Sequence, residues 1–304
     1  MYPLLVTTSP TVLSDLGPRT TAQEEMAEER NRQPVQSGAM RRLHVLRASF
    51  RANIRSSRQF SSRRRRDLRF QIIPYDGWKI SNGIAILVTL IVFTALIFDP
   101  YLTLWHAGLS PVLVDLFEIL TDLGKSDWIL ISTGVYVLVS LAFDASTLGS
   151  RFRARRAIRT AAAGYVFVAV ALSGLISVTV KYVLGRARPR HFDDVGSWSF
   201  DFLSTEASWS SFPSGHATTA MALGVALGLL FPRLRTAFFC AGFWIAFSRL
   251  ATRDHYPSDV VAGSILGAIT AWLLARALAQ RRLVFGFDSL GNLIRRSGVS
   301  GRLF

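Results

Sequence analysis

Six apolar runs dominate the chain beyond its first quarter, at roughly Gly83–Trp105, Trp128–Leu148, Ala157–Val183, His216–Phe231, Thr236–Leu250 and Pro257–Ala277. A helix needs about 20 apolar residues to cross a bilayer, because in hydrocarbon its backbone polar groups must be satisfied internally. The fourth and fifth runs are short by this standard. The pattern predicts an all-α, polytopic membrane protein with about six transmembrane helices over residues 78–282. Before the runs, residues 1–40 are rich in Thr, Ser, Pro, Glu and Gln and show no apolar period, which reads as a disordered tail. Over 41–77, Leu43, Leu46, Phe50 and Ile54 recur at helical spacing while Arg47, Arg51, Arg55 and Arg58 occupy other faces. This reads as a basic amphipathic arm lying on the membrane, or as a solvated arm without fixed structure. Residues 283–304 are left as a tail. Between the first two runs, Leu116, Ile119, Leu120 and Leu123 suggest a short interfacial helix before Gly124, within what is otherwise a connector.

Composition agrees with a membrane protein. Half of the residues are hydrophobic and 18% are charged, with a mean hydropathy of +0.31. That is too apolar for an ordinary soluble domain. The formal net charge of +15 is concentrated: 11 arginines face one acid, Asp67, between Arg41 and Arg69. Such a block suits an anionic surface, and cytoplasmic-leaflet lipid is the expected partner in preference to nucleic acid. The single cysteine, Cys240, lies in an apolar run and is expected to be a small core residue.

Loop charge orients the spans. Arg151, Arg153, Arg155, Arg156 and Arg159 follow the second run, Arg233 and Arg235 the fourth, and Arg276, Arg281 and Arg282 the sixth. With six spans these loops and the basic arm share one side, which the positive-inside rule makes cytoplasmic. The first outer loop carries Asp115, Glu118, Asp122 and Asp127 against Lys125. In a bacterium the opposite face is the periplasm. No cleavable signal peptide is evident, so the first spans serve as the targeting signal.

Three polar clusters interrupt the apolar pattern on that outer side: Lys181 with Arg188-Pro189; Pro213-Ser214-Gly215-His216; and Ser248-Arg249 with His255 and Asp259. Three cations, two imidazoles and a carboxylate suit phosphoryl transfer through a histidine, with charge stabilised, one imidazole attacking and another protonating the departing oxygen. Lys181 and Arg188, seven residues apart, can project from one face of the third helix before Pro189 ends it. Ser214 is a natural N-cap, and Gly215 admits close backbone approach, so the first amides of the fourth helix can face an anion. An i, i+4 spacing lets Asp259 orient His255 if the helix already runs through His255.

These motifs, complete and in order, resemble the type-2 phosphatidic acid phosphatase family, which shares its site with vanadium haloperoxidases. The resemblance covers roughly Trp78 to Arg282. It implies His255 as nucleophile, Asp259 as its orienter and His216 as general acid. Lys181, Arg188 and Arg249, with Ser214 and Gly215, would bind the phosphate. No cofactor and no metal are expected, the three cations doing the work that Mg²⁺ does in kinases. Arg186, Arg190 and His191 add positive charge near the first motif and read as ordinary loop residues. Arg253 and Asp254 either tune His255 or pair with each other. Trp198, Phe200, Phe202, Trp209 and Phe212 make the outer loop aromatic, as in an interfacial belt or a lid over a lipid chain.

The implied activity is hydrolysis of a phosphomonoester or diphosphate on a lipid. Members of this layout act on phosphatidic acid, phosphatidylglycerol phosphate, undecaprenyl diphosphate or lipid A. The alternatives are lipid phosphotransfer at the same site, a haloperoxidase, which six spans argue against, and a non-catalytic scaffold, which leaves the complete motifs unexplained.

Overall fold

The computed structural model describes residues 38–62, 67, 69–73, 77–143 and 149–296. Most of the proposed N-terminal tail, the arginines at 63–66 and the end of the second apolar run fall outside them. Residues up to Ala48 form one unit and residues from Ser49 a second. Helix α1 (Gly38–Ser62) realises the helical spacing of the basic arm; Leu43 and Leu46 are exposed, and Phe50 and Ile54 are half-buried.

The larger unit contains α2 (Gly77–Ile97), α3 (Leu102–Ala107), α4 (Pro111–Asp122), α5 (Ser126–Ala142), α6 (Ser150–Leu184), α7 (Phe192–Val195), α8 (Gly215–Leu230), α9 (Arg235–Ala251) and α10 (Pro257–Gln280). Among the described residues, four stretches are long and apolar enough to cross a membrane: Trp78–Ala107, Pro111–Ala142, Ser150–Leu184 and Pro257–Gln280. The fourth apolar run becomes the shorter apolar helix α8, enclosed by α6, α9 and α10. The fifth becomes α9, 17 residues long. The expectation of about six spans therefore resolves into four stretches of spanning length and two shorter helices packed on each other.

Hydrogen bonds fix the relative directions. Asp99, just beyond α2, meets Ser258 at the start of α10, while Arg276 near the other end of α10 donates to Ile72 O and Gln71 O. The two helices are antiparallel. At one end, Lys181 Cε lies 3.7 Å from where a Cβ on Gly215 would stand, so the end of α6 meets the start of α8. The core between them is built from small residues: Ala169 and Val170, Ala222 and Ala226, Ala271 and Ala275, closed by Tyr165 and Phe285. Two glycines make the closest approach possible. A Cβ at Gly263 would lie 2.4 Å from Ser214 O, and one at Gly267 would lie 2.1 Å from Thr218 O, distances no side chain tolerates.

Three placements differ from the sequence expectation. Arg276 lies inside α10, buried, with Trp272 and Phe287 against its guanidinium, because the segment before α2 offers carbonyls that pair it. Within residues 283–304, Phe285–Phe287 and Leu293–Arg295 form an antiparallel hairpin, and Phe285 packs edge-on against Tyr165 in the core. Cys240 is exposed rather than buried.

Candidate active site

The three motifs converge at one end of the bundle, where α6 and α9 finish and α8 and α10 begin. Helix α6 stops at Leu184 because Gly185 takes the left-handed conformation at φ 56°, where a Cβ would collide with Asp201 O at 1.6 Å. Arg188 is therefore extended chain beyond the helix, not a second residue on its face as the spacing suggested. Residues 197–211 wrap this strand-like segment, with Ala187 N donating to Ser199 O and Ser211 N to Arg186 O. Trp198, Phe200 and Phe202 of that loop stay exposed, the two phenylalanines stacked at 6.2 Å.

Ser214 is the N-cap of α8, its Oγ accepting from Ala217 N, and its own N–H donates to Asp259 O. His216 follows in the first turn. The α4–α5 turn closes over it, a Cβ at Gly124 falling 3.2 Å from His216 Cδ2. Helix α4 also carries Thr121 to Arg249 Nη1 at 2.9 Å, so the expected connector is a packed part of the site.

The cations are held by their outer nitrogens. Lys181 Nζ donates to Ser210 O at 2.6 Å. Asp254 accepts from Arg249 Nη2 at 2.6 Å, Arg188 Nη1 at 3.2 Å and Arg190 Nη2 at 3.4 Å. It pairs with these three rather than with Arg253. Arg188 Nε, Arg249 Nε and His255 Nδ1 are buried without a hydrogen-bond partner among the described residues. Unpaired buried donors cost about 1–3 kcal/mol each, and the two arginine Nε groups are donors that an anion bound at this end could satisfy.

His255 lies just before α10, whose N-cap is Tyr256. The helix does not run through His255, so the i, i+4 geometry fails, and Asp259 Oδ2 stands 3.8 Å from Nδ1, longer than a hydrogen bond. That oxygen instead accepts from Tyr256 N at 2.8 Å and Ser211 Oγ at 2.6 Å. Burial pushes the His255 imidazole down to about 3, so it is neutral, and nucleophilic, at ordinary pH.

Arg186 reads as a loop residue in sequence and is the most heavily engaged side chain of the site. At 3% exposure, it bridges two carboxylates that are 0% exposed: Asp99 Oδ2 at 2.7 Å and Asp259 Oδ1 at 2.6 Å. It also donates to Ser258 Oγ and Ser197 O and lies over the Tyr256 ring. Ser258 completes the cluster through its N–H and Oγ to Asp99. One signal was available: Asp99 is a lone carboxylate within the first apolar run, and such a group requires a partner. His191 sits in the turn Pro189–His191, away from these contacts.

Comparison with known proteins follows the same lines. Residues 162–283 match the PAP2 superfamily. Over 168 residues the chain is 38% identical to the lipid A 1-phosphatase of Rhizobium johnstonii, covering 55% of this chain and 69% of that protein. It is 37% identical over 171 residues to the lipid A 1-phosphatase of Rhizobium etli, covering 56% and 74%. A solved PAP2-type phosphatidylglycerolphosphate phosphatase from Bacillus subtilis aligns with a TM-score of 0.45 at 20% identity, over 62% of this chain and 92% of that one. The family match and the two Rhizobium relatives define a phosphomonoester hydrolase of the PAP2 type. The chain belongs to the PAP2 superfamily.

Proposed function

We propose that this protein removes a phosphate monoester from lipid A or a closely similar phosphorylated glycolipid, at the outer face of the membrane, through a phosphohistidine at His255. The convergence of the three motifs around buried, unpartnered donors supports the chemistry. The two lipid A 1-phosphatases, each matched over more than two thirds of its length, favour this substrate over a polyprenyl diphosphate.

In the proposed mechanism Lys181, Arg188 and Arg249, with the first amides of α8 after Ser214 and Gly215, hold the phosphate oxygens. Neutral His255 attacks phosphorus through Nε2, since Nδ1 is on the Asp259 side. His216 gives its proton to the departing sugar oxygen, leaving a lipid alcohol and a phosphohistidine. A water then attacks phosphorus, His216 takes its proton back, and the nitrogen–phosphorus bond breaks to free inorganic phosphate. Asp259, anchored by Arg186, keeps a negative charge beside the imidazole as it becomes cationic. The basic arm, from Arg41 to Arg69, would rest against anionic lipid on the cytoplasmic side, and the exposed aromatic loop would meet the outer headgroups.

The deciding experiment is phosphate release by the purified protein, with EDTA present, from lipid A, phosphatidic acid, phosphatidylglycerol phosphate and undecaprenyl diphosphate. Lipid A should be the preferred substrate, and His255→Ala should abolish turnover on all four. Equal or better turnover of the diphosphate would overturn the substrate. Transfer of phosphate to an added lipid alcohol in place of release would overturn hydrolysis. Orientation is tested in a Cys240→Ser background, where a cysteine at exposed Asp194 should react with an impermeant reagent from outside. One at Ser150 should react only after permeabilisation.

A further inference from the structure

We infer that Asp254 is a positioning residue, which holds the guanidinium groups of Arg188 and Arg249 by their terminal nitrogens so that the Nε edge of each is left for the substrate's phosphate. The role rests on the assignment of those two arginines to phosphate binding.

The hydrogen-bond pattern carries it. Arg249 uses Nη2 on Asp254 at 2.6 Å and Nη1 on Thr121 Oγ1 at 2.9 Å. Arg188 uses Nη1 on Asp254 at 3.2 Å and Nη2 on Ser210 Oγ at 3.4 Å. In both, the terminal nitrogens are engaged, and the Nε, buried, has no partner. Two guanidiniums drawn to one place repel each other, and a shared carboxylate between them offsets that repulsion. Asp254 is itself fixed. Thr252 Oγ1 donates to its Oδ2 at 3.0 Å, and Arg253, at φ 54°, turns the chain so that residue 254 faces the arginines. Burial raises the Asp254 carboxyl, but Arg249, the Thr252 hydroxyl, His255 and Arg188 together outweigh that, and it stays below the usual carboxylate range. It is ionised wherever the arginines need a counter-ion. The residue adjoins His255 in the chain, so one side chain ties the phosphate-binding cations to the loop that presents the nucleophile.

A carboxylate among phosphate-binding cations has a second conceivable effect, which is to compete with phosphate for them. The two have opposite signs in an experiment. Binding of orthovanadate, a phosphate-shaped anion, to the purified full chain is followed by calorimetry alongside KM and kcat for the lipid substrate. Asp254→Asn keeps the shape but loses the charge. It should weaken vanadate binding and raise KM by about tenfold, the size of one or two charge-assisted hydrogen bonds, with a smaller effect on kcat. Asp254→Glu should recover most of the affinity, as a merely space-filling residue would not. Thr252→Val, which removes only the hydroxyl that holds the carboxylate, should show a weaker loss of the same sign and serves if Asp254→Asn does not fold. Unchanged or tighter vanadate binding in Asp254→Asn, or in Thr252→Val where that variant stands in, would overturn the role, as would a wild-type protein that binds no vanadate. If vanadate binding weakens as expected but the wild type cleaves no lipid phosphate, the positioning role stands and the proposed function falls.

Discussion

Arg186 and Arg188 are two residues apart and belong to arginine–carboxylate clusters of different kinds. The Arg186 cluster is dry and saturated. Asp99 accepts from Arg186 and twice from Ser258, and Asp259 accepts from Arg186, Ser211 and Tyr256 N. The Asp254 cluster is half-open: Asp254 is 23% exposed, Arg190 57%, and donors on Arg188 and Arg249 stay unpaired. Saturation suits the first to scaffold, since the hydrogen bonds of Arg186 and its two carboxylates are spent within the protein. On the proposed function the second is the working surface, its donors on Arg188 and Arg249 being free to meet a ligand.

The sharpest way to break this distinction is to remove each cation. Arg186→Leu strands two buried carboxylates and should lower stability by about 3–5 kcal/mol, seen as poor recovery and a depressed unfolding midpoint in detergent. Arg249→Leu should abolish most turnover with a much smaller shift in that midpoint. The reverse pattern would exchange the roles of the two clusters. Next in size is His216→Ala, on the working surface. A general acid contributes about 10²–10⁴-fold, so the variant should lose that much on a sugar phosphate yet far less on p-nitrophenyl phosphate, whose leaving group needs no proton. Equal losses on both would sink the assignment, and unfolding should be unaltered.

A subtler distinction lies in pH. The imidazole of His255 is pushed down to about 3 in the folded chain, against about 6.5 when unfolded. Between those values the unfolded state binds the extra proton, so this contribution to stability is complete above about pH 6.5 and declines as pH falls toward 3. His255→Ala should flatten that part of the stability–pH curve in chemical unfolding, and an unchanged slope would mean the imidazole is not dry. The smallest effect belongs to Arg190→Ala. Its exposed contact with Asp254 at 3.4 Å is a rim ion pair worth less than about 1 kcal/mol. KM should rise no more than about threefold, and less still at high salt.

Much of this was legible in the chain. Apolar runs gave the helices, and Ser214 capped α8 as its type and position required. The spacing of Lys181, His216, Arg249 and His255 anticipated one site at one end. What escaped depends on tertiary position. Periodicity cannot reveal that Arg186 meets Asp99, 87 residues away, nor that Thr121 reaches Arg249. Helical spacing suggested that Arg188 and Asp259 would act along their helices. The left-handed Gly185 took Arg188 off its helix face, and the late start of α10 at Pro257 leaves His255 outside the helix, with Asp259 beside it at 3.8 Å. Residues 283–296 looked like a tail because a three-residue strand carries too little pattern to be seen.

The bare crossing at Gly263 and Gly267 has a mechanical consequence. With no side chain on α10 at these two positions, its backbone lies against that of α8 and the two helices are held in register, so the loop bearing His255 and the turn bearing His216 move together. On the proposed function, a bulky glycolipid is then admitted by movement elsewhere: in the α4–α5 turn that closes over His216, or in the aromatic residues 197–211. On that reading product escape depends on these segments, at a distance from the bond that breaks.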